Sequence, residues 1–189
     1  MKIRSSLYTV FLYGLLFCLF YSCTKKEYTP TLVIGDKFQG GIVAYILVPG
    51  DTVYDPKVQH GILAAIVDQN TGIQWYNGVY ISTGAQGTAI GTGMASTKSI
   101  ISSQGIGTYA LSVCTSYRGG GYSDWYLPSK DELYILAANK IVSGGTANNI
   151  YWCSTEINNI RAWAQYINFI QQIDDGKAAP YFVKAVRSF

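Results

Sequence analysis

Residues 120–133 have the sequence GGYSDWYLPSKDEL, which contains the strongest local structural signal of the chain. Ser129 and Glu132 form the S-x-x-E pattern of a capping box, in which each side chain accepts a hydrogen bond from the backbone N–H of the other residue. From Leu133 onward, apolar residues recur at helical spacing and predict one buried face. A helix is therefore predicted to begin at Ser129, directly after Pro128.

Hydrophobic patterns on both sides of this segment predict strands at the two ends of the chain and helices in its middle. Strands are predicted at residues 41–47, 62–67, 73–76, 150–154, 162–169 and 182–187, and further helices at 95–103 and 109–117. This order excludes a βαβ repeat. It predicts a single α+β domain with mostly antiparallel strands and two or three helices in the middle.

The composition of the 189 residues is that of one folded domain, because 49% are hydrophobic and 13% are charged. The formal net charge of +3 comes from the N-terminus. Four of the 14 Lys and Arg and one of the 11 Asp and Glu precede Thr31, which leaves ten of each sign in the rest of the chain. The domain is therefore formally neutral and has no basic stripe, which argues against a nucleic-acid partner.

The N-terminus has the features of an export signal. Lys2 and Arg4 precede an apolar stretch at residues 7–21, which is short for a membrane span but typical of a signal peptide. Ser22-Cys23 at its end resembles the lipobox of bacterial lipoproteins, which implies cleavage before Cys23 and acylation of that residue.

The alternatives are an uncleaved signal anchor and an ordinary cleaved signal. We expect a signal peptide at residues 1–22, a tether at 23–31 and a domain at 32–189. This organisation predicts a lipid-anchored protein of the bacterial cell envelope, at the outer membrane, with membrane lipid as a partner through Cys23.

Two cysteines, Cys114 and Cys153, remain in the predicted domain. Because an exported protein meets an oxidising compartment, they are candidates for one disulfide. The alternative is two separate buried thiols, since free cysteine is a common core residue.

Catalytic and metal-binding patterns are sparse. His60 is the only histidine, and no G-x-S-x-G elbow or zinc-ligand spacing accompanies it. Asp174-Asp175-Gly176 lacks the alternating oxygen ligands of a calcium loop, so a solvated turn is predicted there. No cofactor and no metal are expected.

Two short segments combine aromatic rings with amide or carboxylate groups near predicted turns. Such groups suit sugar binding, in which a ring stacks on the sugar and polar edges bond its hydroxyls. Because turns lie at the surface, we expect these residues to form one ligand platform, the alternative being that their rings belong to the core. The candidates are Trp75, Tyr76, Asn77, Tyr122 and Asp124.

The 120–133 segment, together with residues 34–41, 60–61, 151–156, 162–163 and 183–189, resembles the Lcl C-terminal domain family, named for bacterial collagen-like adhesins, and its lipoprotein members in particular. More distantly, it is similar to C-type-lectin-like and formylglycine-generating-enzyme-like domains. The resemblance implies a C-type-lectin-like fold without the catalytic cysteine pair of the formylglycine enzyme. The residues expected to serve this fold are Trp125, Pro128, Ser129, Glu132, Trp152 and Arg187.

Characterised members of this family act in adhesion, including binding to sulfated glycans through a basic surface, and this neutral domain lacks an obvious surface of that kind. We expect a non-enzymatic surface binding or adhesion module, with glycans as ligands. One alternative is an envelope glycan-processing enzyme that uses Asp124, Glu132 or Glu156 as paired carboxylates. Another is a purely structural envelope protein. The sequence leaves the oligomeric state open.

Overall fold

The computed structural model of the chain describes residues 31–142 and 149–189. The predicted signal peptide, the acylation site Cys23 and all of the predicted tether except Thr31 lie outside the described residues. None of the helices in the described ranges is long and apolar enough to cross a membrane.

The elements follow the predicted order of strands, helices and strands. The first strands are β1 (Lys37–Phe38), β2 (Gly41–Ile46), β3 (Gly61–Ala65) and β4 (Asn70–Ile73). The helices are α1 (Gly93–Gln104), α2 (Ala110–Ser116) and α3 (Lys130–Ala138), with a short 3₁₀ helix at Gly119–Gly121. The last strands are β5 (Ile150–Glu156), β6 (Arg161–Tyr166), β7 (Gln171–Gly176), β8 (Tyr181–Val183) and β9 (Val186–Ser188).

Two sheets organise these strands. One sheet has the order β1-β2-β3-β9 and the other has the order β4-β8-β5-β6-β7. Every described strand pair is antiparallel except β5 with β8. The predicted α+β class, with mostly antiparallel strands and three helices in the middle, is therefore confirmed.

The C-terminal segment differs from its prediction as one strand. Residues 182–187 divide into β8 and β9, which Lys184 and Ala185 separate and which belong to different sheets. Both separating residues are bonded to the β3–β4 connection: Lys184 forms an ion pair with Asp68, and the backbone N–H of Ala185 donates to the side-chain oxygen of Gln69. These contacts hold the chain where it crosses from one sheet to the other.

The prediction of a solvated turn at Asp174-Asp175-Gly176 is wrong, because these residues end strand β7. β7 pairs with β6 throughout, and Arg161 donates from Nε to Asp174 Oδ2 across the pair at 2.5 Å. Charged residues are typical of an edge strand such as β7, where they discourage pairing with another chain.

The capping box is confirmed. Ser129 Oγ accepts from the N–H of Glu132 at 3.3 Å, and Glu132 Oε2 accepts from the N–H of Ser129 at 2.7 Å. The second oxygen of Glu132 accepts from the N–H of Gly91 at 2.8 Å. Glu132 is fully buried, and this burial raises the pKa of its carboxyl group. One side chain thus caps α3 and holds the loop before α1 against it.

The core consists of two clusters of buried side chains. One contains the indoles of Trp75, Trp125 and Trp152, with Ile100 of α1 and Leu111 of α2. The other lies between α3 and the strands and includes Tyr126, Leu133, Leu136 and Tyr151. Since Trp125 and Tyr126 are consecutive, the 120–133 segment supplies both clusters.

Candidate functional site

A cluster around Arg187 connects the C-terminal strand to the 120–133 segment. The Arg187 side chain, on β9, is only 10% exposed. Its Nε donates to Asp124 Oδ1 at 2.5 Å and one terminal nitrogen donates to Gln39 Oε1 at 2.6 Å. The guanidinium carbon lies 3.7 Å from the ring centroid of Tyr122, a cation–π distance. Arg187 therefore fixes the positions of Tyr122 and Asp124.

Backbone contact brings Gln39 to this cluster. A Cβ atom on Gly40 would lie 2.4 Å from the Cα of Gly120, so these two glycines allow the β1–β2 turn to touch the 3₁₀ helix. Gly40 and Gly120 also have positive φ angles of 81° and 64°, which glycine adopts without steric cost. Gly120, the first residue of the 120–133 segment, is thus required by a close approach.

Asp124 also borders a cavity of about 240 Å³ between the helices and the 120–133 segment. Its side chain is 47% exposed, so the ion pair with Arg187 leaves part of the carboxylate open to solvent. Polar and apolar groups both line this space, which we call the Asp124 cavity. Its lining includes Met94, Lys98, Thr115, Ser123, Asp124 and Trp125.

The helical side of this cavity was not predicted from the sequence. Met94, Thr97 and Lys98 lie at positions i, i+3 and i+4 of α1, so they share one face of the helix. Thr97 Oγ1 accepts from the N–H of Leu127 at 3.2 Å and so joins α1 to the 120–133 segment. The spacing of these residues was a usable signal, but nothing local indicated which segment they face.

The prediction that Trp75 lies on a binding surface is wrong. Its side chain is fully buried, and its indole N–H donates to the carbonyl of Cys153 at 2.8 Å. The backbone N–H of Trp75 donates to Lys177 O, and the carbonyl of the preceding Gln74 accepts from the N–H of Ala110, the first residue of α2. These bonds hold the segment beneath α2, where Trp75 joins the larger core cluster.

The two neighbours of Trp75 are partly exposed but are occupied by local contacts. Tyr76 stacks on Tyr80 with centroids 4.6 Å apart. The amide nitrogen of Asn77 donates to the carbonyls of Gln104 and Ile106 at 3.1 and 2.8 Å, which closes the end of α1. Within the described ranges, no hydrogen bond, ion pair or ring contact joins these residues to Tyr122 or Asp124. The single shared platform therefore has no support, and of the five candidate residues Asp124 is the one that lines the cavity described above.

The three carboxyl groups of the enzyme alternative have separate partners. Asp124 pairs with Arg187, whereas Glu132 accepts from backbone N–H groups at two helix starts. Glu156 is buried and pairs with the fully buried Lys177 at 2.5 Å. Its oxygens also accept from the N–H groups of Thr83 at 2.8 Å and Gly84 at 3.0 Å. Each carboxyl thus serves a different internal contact.

The candidate disulfide is not formed, because Cys114 and Cys153 are both free and buried. Cys114 belongs to the cluster under α2, while Cys153 belongs to the cluster beside α3. The Cys153 thiol donates to the carbonyl of Trp163 at 3.1 Å, and burial raises its pKa to about 12. The structure has two separate buried thiols, which was the alternative to a disulfide.

A wider groove of about 400 Å³ lies between the β3–β4 connection and α2. Its principal polar side chains already serve the fold: Asp68 accepts from the Tyr151 hydroxyl and pairs with Lys184, and Gln69 accepts from the N–H of Ala185. In the described ranges, no group of three or more His, Cys, Asp or Glu side chains is placed to hold a metal ion. The Asp124 cavity is therefore the stronger candidate site.

Comparison with models of known protein families gives a match. A family model described as the Lcl C-terminal domain matches residues 64–187, which is more than half of the chain. The matched range contains the Asp124 cavity and Arg187, while β1 and β2 precede it and complete the same sheet as β3 and β9. No curated protein matches the chain.

Proposed function

Because the chain belongs to the Lcl C-terminal domain family, we propose that it is a non-enzymatic lipoprotein of the bacterial cell envelope whose domain binds a glycan in the Asp124 cavity. Family membership indicates an adhesin-like or envelope module. The glycan ligand, the acylation of Cys23 and the placement at the outer membrane are the parts that go beyond it.

The observation that carries the proposal is the position of Asp124. Its carboxylate is held by Arg187 at 2.5 Å and is still 47% exposed beside the cavity. A carboxylate fixed in this way is a preorganised acceptor for sugar hydroxyls, since little side-chain freedom is lost when a ligand binds. Lys98 supplies a donor on the facing helix, and Ser123 and Thr115 add hydroxyl groups.

The volume of the cavity limits the size of the glycan that it can hold. About 240 Å³ is below the roughly 300–1,000 Å³ of sites for drug-sized molecules. The cavity therefore favours a single sugar ring at the end of a chain. Its one ammonium group and one paired carboxylate favour directed hydrogen bonds to neutral hydroxyls over the clustered positive charge that a polysulfated chain requires.

A glycan array probed with the mature protein tests the proposal, and Asp124→Asn tests the site. Hydrogen bonds to charged groups contribute about 1.5–3 kcal/mol, so this change should weaken binding by tenfold or more. Asp174→Asn is a matched control, because Asp174 is 43% exposed and forms an ion pair of the same 2.5 Å length with Arg161. Equal binding by both variants would contradict the site, and an array without any bound glycan would contradict the function. Cleavage of a bound glycan would favour the enzyme alternative.

The lipid anchor has its own test. Changing Cys23 to Ala should release the protein from the membrane fraction, because several buried acyl chains form a stable anchor. Mass spectrometry of the mature N-terminus should show acyl groups on Cys23. Membrane retention without acyl mass would contradict this part of the proposal.

A further inference from the structure

We propose that a face formed by Val33, Val48, Val53 and Val58, here called the valine face, lies against the lipid bilayer that holds the acylated Cys23. This inference rests on the proposed lipid anchor and adds an orientation for the domain. It concerns a surface different from the Asp124 cavity.

The four valines are all exposed, with 49–74% of each residue accessible to solvent. A scattered exposed valine needs no explanation, but a group of them marks a contact surface. Gln59, next to Val58, exchanges two hydrogen bonds with the backbone of Leu32, next to Val33. These bonds bring the first of the four valines close to the last.

The other two valines belong to the same region. The N–H of Leu47, next to Val48, donates to the carbonyl of His60 at 2.9 Å. Val53 lines a cavity together with Leu47 and His60. The four valines therefore belong to one end of the domain, which is formed by its first residues and by the β2–β3 connection.

Val53 also has an unusual backbone conformation. Its φ angle is +64°, in a region that β-branched residues rarely adopt, and it is the most exposed of the four. A strained apolar side chain at a loop tip is unfavourable in water alone. Strain of this kind concentrates at functional positions, and contact with lipid would compensate for the exposed surface.

The short chain between Cys23 and the domain favours lipid as the partner of the valine face. Residues 24–30 span at most about 25 Å even when fully extended. The first described residue, Thr31, directly precedes Leu32, which is bonded to Gln59 beside Val58. The valine face is therefore where the chain coming from Cys23 enters the domain.

Charge around this face is mixed, because Lys37 and Lys57 lie near Asp36 and Asp55 in the sequence. We therefore expect apolar insertion into the headgroup region, with little dependence on salt or on anionic lipid. This distinguishes the valine face from a polybasic membrane contact.

The test uses the acylated full-length mature protein in phosphatidylcholine–phosphatidylethanolamine vesicles. Because Cys114 and Cys153 are buried, an introduced cysteine can be labelled selectively with an environment-sensitive fluorophore. Val53→Cys is compared with Ile106→Cys. Ile106 is fully exposed and lies just beyond the C-terminal end of α1. Only the label at position 53 should shift to the blue and lose most of its emission to nitroxide-labelled lipid.

A second pair of variants tests the face itself. Val33→Ser combined with Val58→Ser should reduce the quenching at position 53. Val79 is also exposed but is not part of the valine face, so Val79→Ser should leave the quenching unchanged. Equal quenching at positions 53 and 106 on acylated protein would overturn the valine face and leave the anchor intact. A blue shift without lipid quenching would mean that a second copy of the chain covers the face, and this would also overturn the proposal. Absence of acyl mass on Cys23 would overturn both the anchor and the face.

Discussion

Removing one member of the Glu156–Lys177 pair should destabilise the domain strongly. Both side chains are fully buried and their charged atoms are 2.5 Å apart. Breaking a buried ion pair by removing one partner costs about 3–5 kcal/mol, because the remaining charge has lost its compensation. For a domain of this size, that loss corresponds to a fall of roughly 6–20 °C in Tm.

The two possible substitutions should differ. In Lys177→Met, Glu156 keeps the N–H groups of Thr83 and Gly84 as donors, so the loss should lie near the lower limit. In Glu156→Gln, Lys177 keeps the carbonyl of Ile81 at 3.2 Å and lies 4.5 Å from the ring centroid of Trp75, so the loss should be larger. The double variant should lose less than the sum of the single losses.

A pH series separates this electrostatic effect from loss of packing. Burial lowers the pKa of Lys177, and Glu156 opposes that lowering. Without Glu156 the folded-state pKa falls further below the unfolded value, so the unfolded state binds more protons across that interval. The stability of Glu156→Gln should therefore rise, relative to wild type, as the pH increases through the lowered pKa toward the unfolded value.

Urea unfolding followed by tryptophan fluorescence measures each free energy. Asp174→Asn, which breaks an exposed pair of equal length, should cost at most about 1 kcal/mol. Losses below about 1 kcal/mol for both buried variants, or a flat pH series for Glu156→Gln, would refute the assignment of a stabilising buried pair.

Three further predictions concern the core and the capping box. Trp75→Ala should lower the free energy of unfolding by about 3–5 kcal/mol because it removes a fully buried indole; a loss under 1 kcal/mol in urea titration would contradict its place in the core. Cys114 and Cys153 should not react with a thiol reagent in the native protein and should both react after unfolding, because burial raises the pKa of both thiols; rapid native labelling would disprove this. Ser129→Ala should cost about 1 kcal/mol through loss of the α3 cap, whereas Ser129→Asp, which retains an acceptor, should recover most of it; equal stability of the two variants would count against the cap.

Local signals account for what the sequence predicted well. The capping box depends on Ser129 and Glu132, three residues apart, so α3 could be placed from one short segment. The strand and helix order followed from periodicity, which is also local. The division of residues 182–187 between two sheets could not be predicted, because it depends on contacts of Lys184 and Ala185 with the distant β3–β4 connection.

The candidate site was only partly predictable for the same reason. Tyr122 and Asp124 were selected for their chemistry, and Asp124 does border a cavity. Trp75 was selected on equal grounds, but the partners that bury it, Cys153 and Lys177, lie far along the chain. A turn signal beside an aromatic residue does not report which side of the chain faces the core.

The assignment of β8 and β9 to separate sheets sets a condition on the order of folding. Ile62 of β3 pairs with Ser188, and Asn70 of β4 pairs with Val183, so both sheets need the last nine residues of the chain. Contacts of such large sequence separation form slowly, because a long loop must close first. We therefore expect neither sheet to be completed before residues 181–189 have been synthesised. For a chain with a predicted export signal, late pairing of these residues would keep the domain incompletely folded, as passage through a secretion channel requires.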